Sequence, residues 1–290
     1  MKDYVIITDG NADLPADYAA ENGIVVIPMG YNLDGKVYGE GEDLDPKEFY
    51  AMMRDGKMPT TMALNPYTYE AEFRKVLESG RDVLYLCFSS GLSNSYNASL
   101  LAKQTLETEN PEWHIMFVDS LAASMGQGLF VYKVQQQKLA GKSIDEAAAW
   151  AQAHKLNICH QFTVDDLMHL HRGGRVSKAT AIVGTLIHVK PVLHVDNEGH
   201  LISLFNVRGR KKALGALVDN MEKTMGKFAE DNKDIIFISH GDCEEDALYV
   251  KKKIEERFGF HNFMINMICP TIGAHSGPGT IAVFFMGETR

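Results

Sequence analysis

Short apolar runs alternate with amphipathic stretches through the first half of the chain. Runs rich in β-branched residues at Tyr4–Thr8, Ile24–Met29, Val83–Phe88 and His114–Val118 predict buried strands. Between them, Pro46–Arg54 carries Phe49, Met52 and Met53 at helical spacing. Pro66–Leu77 puts Phe73, Val76 and Leu77 on one face, and Ser93–Leu106 carries Leu100, Leu101 and Leu106 behind a capping serine. A longer helix is expected over Ala122–Leu139, closed by Gly141, with Ser143 capping the next one through Ala153. Strands alternating with helices argue for a parallel sheet covered by helices.

The second half reads differently. Strand-like runs at Asn157–Thr163, Val189–Val195, Leu201–Val207, Ile235–Ser239, Phe263–Ile268 and Thr280–Met286 outnumber the helices expected at Arg210–Phe228 and Glu244–Phe258. Asp196-Asn197-Glu198-Gly199 is a hairpin signal between two of the strands. These patterns predict an α/β architecture in two domains. Residues 1–155 are expected to form a parallel-sheet α/β domain, and residues 156–290 an α+β domain.

The chain has 290 residues, 45% of them hydrophobic, and a formal net charge of −9. That charge repels nucleic acid and anionic membranes. The first residues hold too short an apolar run for a secretory signal, and no stretch is long and apolar enough to cross a bilayer. Cys87, Cys159, Cys243 and Cys269 are far apart and form no C-x-x-C pair, so no metal or disulfide role is assigned and a reducing cytoplasm is expected. Phosphate-binding P-loop, dinucleotide and G-x-S-x-G signatures are absent.

The candidate chemistry sits in small, hydroxyl-rich turns: Thr8-Asp9-Gly10-Asn11-Ala12-Asp13, Pro59-Thr60-Thr61, Ser89-Ser90-Gly91-Leu92-Ser93 and Asp119-Ser120. In an open α/β sheet, ligands bind beyond the carboxyl ends of the strands, and hydroxyls there suit a small anionic group. Ser93 can equally serve as a helix cap, and Thr60 and Thr61 can bond within a loop. His275, read in the loop Gly273-Ala274-His275-Ser276-Gly277-Pro278-Gly279, suits an anion donor or a general base. His169 and His171 beside Arg172 read as a solvated turn rather than a metal pair. Arg172-Gly173-Gly174-Arg175 and Arg208-Gly209-Arg210-Lys211-Lys212 are basic islands in an acidic chain. Arg208, between a strand and a helix, is placed to face a crevice.

These segments, in this order, resemble the DegV family, whose characterised members include the fatty-acid-binding subunits (FakB) of bacterial fatty acid kinase. The resemblance runs end to end, from Thr8-Asp9 with Ala12-Asp13-Leu14-Pro15 through Gly126-Gln127-Gly128, Gly173-Gly174-Arg175-Val176-Ser177 and Lys190-Pro191 to His275-Ser276-Gly277-Pro278-Gly279. It implies a Rossmann-like N-terminal domain (1–155) and an α+β C-terminal domain (156–290), with a long-chain fatty acid in an apolar tunnel, its carboxylate held by Thr61 and Ser93 and completed by Arg208 and His275. Thr60, Met62, Asn94 and Gly277 are secondary ligand positions. It further implies a separate ATP-using kinase subunit that docks near Arg175 and makes an acyl phosphate for phospholipid synthesis. This chain would bind without catalysing, and without cofactor or metal of its own. The chain departs from the family pattern at Gly10-Asn11, at Met62-Ala63-Leu64-Asn65 and at Asn94-Ser95; if Met62 and Leu64 face the tunnel, they alter which acyl chain fits. Two other readings compete: a hydrolase using Ser93 and His275, and a carrier for another small amphipathic acid.

Overall fold

A computed structural model describes residues 2–39, 41, 43–177 and 189–290. The elements run β1 (Tyr4–Asp9), α1 (Ala16–Glu21), β2 (Val25–Ile27), β3 (Tyr31–Leu33), β4 (Lys36–Tyr38), α2 (Pro46–Arg54), β5 (Thr60–Thr61), α3 (Pro66–Glu78), β6 (Asp82–Cys87), α4 (Ser95–Glu109), β7 (Ile115–Asp119), α5 (Met125–Leu139) and α6 (Ile144–His154). They continue with β8 (Ile158–Thr163), α7 (Leu167–Arg172), β9 (Val189–Val195), β10 (Leu201–Arg208), α8 (Arg210–Met225), β11 (Ile236–His240), α9 (Glu244–Phe258), β12 (Phe263–Met267), α10 (Pro270–Ser276) and β13 (Ile281–Met286).

Local chemistry explains several helix starts. Asp45 and Asn65 accept backbone N–H groups ahead of α2 and α3, each with proline in the first turn. Ser143 and Glu146 form a reciprocal capping box on α6. Ser93 does not take the cap of α4. The N–H groups of Leu92 and Ser93 both turn back to the Ser89 carbonyl, so the helix starts two residues later with Asn94 at the cap position.

Three sheets result. The first is parallel, in the order β2-β1-β6-β7. The second has six strands in the order β10-β9-β8-β13-β11-β12, antiparallel except for the β11–β12 pair. A small antiparallel sheet, β4-β3-β5, lies apart from both. Every strand of the first and third sheets precedes residue 120, and every strand of the second follows residue 157. The core nevertheless passes between them. Helix α5 is buried around most of its surface; its Met125, Leu129, Phe130, Val131 and Val134 share one cluster with Ile6 and Leu86 of the parallel sheet and Phe237 and Phe284 of the mixed one. A helix covered on so many sides serves as a shared layer.

Two local expectations are corrected. Thr60 and Thr61 are not loop residues: they form β5, pairing with Asn32 and Tyr31. Their partner strand has only three residues, too few for an alternation pattern to reveal it. His275 is also not in a loop. Pro270 opens α10, the Gly273 N–H bonds to the Cys269 carbonyl, and the helix runs to Ser276 before Gly277 turns the chain. The glycines at 273 and 277 disguised a helix of only seven residues.

Candidate functional site

The carboxyl ends of β1, β6 and β7 converge, and two of the four hydroxyl-rich turns spend most of their polar groups on the end of β6. Asp9 is fully buried; its carboxylate accepts the N–H groups of Asn11 and Phe88 at 3.2 and 3.0 Å and the Tyr85 hydroxyl at 3.3 Å. Burial nevertheless pushes its pKa up to about 6. Thr8 donates to the Leu86 carbonyl at 2.8 Å, Ser120 donates to the Cys87 carbonyl at 2.6 Å, and Asp119 accepts the N–H of Ser90 and Leu121. These groups tie the strand ends together.

The other two turns, with Asn11 of the first, contribute to a cavity of about 330 Å³, within the range of ~300–1,000 Å³ usual for small-molecule sites. Its wall is mainly apolar, with Phe88, Leu92, Phe162, Leu170, Ile268 and Phe284 among the lining residues. Thr61 and Ser93 line it as well, together with His275. The Thr61 hydroxyl lies 2.8 Å from His275 Nε2, joining β5 to the last turn of α10. Ser93 Oγ contacts Ser95 Oγ at 2.8 Å and accepts the Ser95 N–H at 3.2 Å.

Arg175 completes this polar group. Its guanidinium donates to the Leu92 carbonyl through Nε at 3.1 Å and Nη2 at 2.8 Å, and to the Gly173 carbonyl through Nη1. Gly173 lies against the His275 ring so closely that any Cβ there would overlap Nδ1. Burial first, and the Arg175 charge second, push the His275 pKa down to about 4, so the ring is neutral near pH 7. His275 Nδ1 and the Ser276 hydroxyl are buried without a hydrogen-bond partner among the described residues.

Other polar lining groups are already engaged. Thr271 donates to Asn11 at 2.7 Å. Ser124 donates to Asp13, whose other carboxylate oxygen accepts the Cys269 N–H at 2.9 Å. Burial raises the Asp13 pKa to about 6. His160 donates from Nδ1 to the Ile158 carbonyl at 3.1 Å and accepts the Ala123 N–H at Nε2 at 3.3 Å, a tautomer assigned from these partners. Burial keeps it uncharged.

The expected site residues fall into two groups. Thr61, Met62, Ser93, Asn94, Arg175 and His275 all line the cavity. Thr60 and Gly277 do not; Thr60 is exposed, and Gly277 packs on the His169 ring. Arg208 ends β10 exposed and is likewise absent from the wall, although Leu201 at the other end of the same edge strand lines it. Leu64 is buried in the core beside β1 and β6 rather than in the cavity. Arg175 is expected as a docking contact within a basic island; the glycines before it allow its loop to press on His275 and bring its charge to the wall. The hydrogen bond that a serine hydrolase needs between Ser93 and His275 is replaced by the bond between His275 and Thr61. Among the described residues no helix is long and apolar enough to cross a membrane, and no group of three or more His, Cys, Asp or Glu side chains is arranged to hold a metal.

Comparison with known proteins matches residues 3–288 to the family described as DegV. A DegV domain-containing protein of Clostridium perfringens is 41% identical over 100% of this chain and 99% of its own length. Among solved structures, a fatty-acid-binding DegV family protein of Thermus thermophilus superposes with a TM-score of 0.86 at 28% identity, covering 99% of this chain and 100% of that one. The B3 protein of Streptococcus pneumoniae fatty acid kinase, solved loaded with linoleic acid, gives a TM-score of 0.84 at 21% identity over 99% of this chain and 100% of its own, a likeness of fold.

Proposed function

This chain belongs to the DegV family, and from that premise we propose that it binds a long-chain fatty acid and presents the carboxylate to a separate kinase. The observation that carries the reading is the Thr61–His275 pair, set with Ser93 and Arg175 in the wall of an otherwise largely apolar cavity. The acyl chain runs along Phe162, Leu170 and Phe284, where each buried methylene contributes about 0.8 kcal/mol. The carboxylate meets the Thr61 and Ser93 hydroxyls and the His275 ring, and a hydrogen bond to a charged group contributes about 1.5–3 kcal/mol. The Arg175 guanidinium, held by the Leu92 and Gly173 carbonyls, supplies the opposing charge. A fatty acid supplies the acidic head and apolar tail that such a wall selects.

In this reading the protein performs no chemistry itself. A cytoplasmic kinase subunit holds ATP and transfers its γ-phosphoryl group to the presented carboxylate, and Arg175 stands where the loaded site and the kinase meet. The resemblance of the Thermus thermophilus protein, which binds fatty acid, supports the ligand class; the order of the family motifs supports the kinase.

Native mass spectrometry of the purified protein, followed by organic extraction, tests the ligand. A co-purified acyl chain at about one per protein is expected. A protein that carries no acid and takes up none when offered oleate would overturn the reading. Incubating the loaded protein with ATP and the kinase of its own cell tests presentation; acyl phosphate is expected only with all three, and none with all three would sink the kinase half alone.

A further inference from the structure

The Arg290 side chain makes an unusual set of bonds. Nε donates to the Ile158 carbonyl at 3.0 Å. Nη1 donates to the carbonyls of Leu121 at 2.6 Å and Asp196 at 3.0 Å. Nη2 donates to those of Lys155 at 2.7 Å and Ser120 at 3.4 Å. The five N–H donors of one guanidinium are thus spent on five backbone carbonyls. They come from the turn after β7, from the segment entering β8, and from the hairpin between β9 and β10.

Those segments back the cavity. The turn after β7 continues into Ala123 and Ser124, and the hairpin is flanked by Val195 and Leu201; all four line the wall. The two segments also grip the turn that carries Ser93. The Ser89 N–H bonds to the Ala122 carbonyl, and the Ser89 hydroxyl donates to the Gly199 carbonyl at 2.9 Å. Gly91 is pressed against the hairpin, where an added Cβ would stand 2.6 Å from the Glu198 carbonyl oxygen. Leu121 has a φ of +49°, a conformation that branched side chains avoid and that surrounding contacts must hold.

We propose that Arg290 is a positioning residue for the ligand site: by clamping the 120–121 turn to the 196–199 hairpin, it holds the Ser89–Ser93 turn in place and slows the escape of bound ligand. The inference rests on the fatty-acid reading for its ligand, but not for its clamp. A guanidinium suits the task because its planar fork reaches several carbonyls at once, which a single ammonium cannot. No cavity contact by Arg290 is required.

The test compares Arg290→Met, which keeps the bulk and removes the donors, with Arg290→Lys, which keeps the charge, and with Ile254→Val in the separate core under α9 as a control for general destabilisation. Oleate release is followed by stopped flow with a scavenger, and amide exchange by mass spectrometry on ligand-free protein. Arg290→Met is expected to release oleate at least tenfold faster and to speed exchange at Ser89, Leu121 and Gly199. Arg290→Lys should restore part of both, and Ile254→Val should change neither. Unchanged release with unchanged exchange would overturn the clamp, as would changes matched by Ile254→Val. If Arg290→Met does not fold, Arg290→Lys alone decides by the same two readouts. Wild-type protein that binds no oleate would instead indict the fatty-acid reading, and the exchange data would still judge the clamp.

Discussion

Thr61 and His275 stand 214 positions apart in sequence and 2.8 Å apart in space, one on a two-residue strand and the other on the last turn of a seven-residue helix. Neither element is stable alone. Their meeting depends on β3 holding β5 and on Tyr50, which donates to the Ile268 carbonyl just ahead of α10. The head-group pair is therefore a product of packing, and its chemistry can be tested by removing either partner.

Thr61→Val keeps the shape and removes the hydroxyl. Losing one hydrogen bond to a carboxylate should cost about 1.5–3 kcal/mol, or roughly 10- to 150-fold in fatty-acid affinity. His275→Gln should cost a similar amount. Displacement of a fluorescent fatty acid measures both, and affinities equal to wild type would remove these residues from the head-group site.

Titration provides a second handle. His275 is held near pKa 4 by burial and by Arg175, against about 6.5 in an unfolded chain. Between those values the unfolded chain carries the proton and the folded one does not, so the contribution of His275 to stability falls as pH drops from 6.5 to 4. A carboxylate beside the ring favours the imidazolium and raises the pKa. NMR of ring-labelled histidine should show His275 titrating near 4 in stripped protein and higher in loaded protein. Superimposable curves would argue that no carboxylate sits there.

Asp13 has the opposite sign. Burial raises its pKa to about 6 from 3.8, so the folded state binds more protons between those values. The stability this contributes is full below 3.8 and is lost as pH rises through 6. Asp13→Asn removes that dependence. The melting temperature of wild type relative to Asp13→Asn should rise as pH is lowered from 7 to 4; a constant difference would mean that Asp13 titrates normally.

Gly91→Ala sets a methyl group against the Glu198 carbonyl. Overpacking of this kind costs about 1–3 kcal/mol. Because the clash lies two residues before Ser93, fatty-acid affinity should fall along with melting temperature. Calorimetry and a binding titration check the two effects, and an unchanged melting temperature would show that the hairpin yields freely.

Arg208→Ala separates the exposed arginine from the cavity cation. An exposed side chain outside the wall should change stability and fatty-acid affinity by no more than about 0.5 kcal/mol, whereas Arg175→Ala leaves the Leu92 and Gly173 carbonyls without their shared donor. A tenfold loss of oleate affinity in Arg208→Ala would bring that residue into the head-group site after all.

The helices α2, α3, α6 and α9, and most strands of both large sheets, could be read within a residue or two from the chain itself. Periodicity and a cap such as Ser143 are local signals, carried by residues that remain neighbours in the fold. Thr61, Ser93 and His275 were also legible as candidates, through turn chemistry and family resemblance. Tertiary structure decided what those residues meet. It made α5 a layer between two sheets, turned an apparent glycine loop into α10, and moved Arg175 into the cavity wall and Arg208 out of it. It also gathered five distant carbonyls around Arg290. Such contacts have no period and no fixed spacing. They arise only when buried faces far apart in sequence are driven together, and the burial that brings them together also sets the charge state of His275, Asp9 and Asp13.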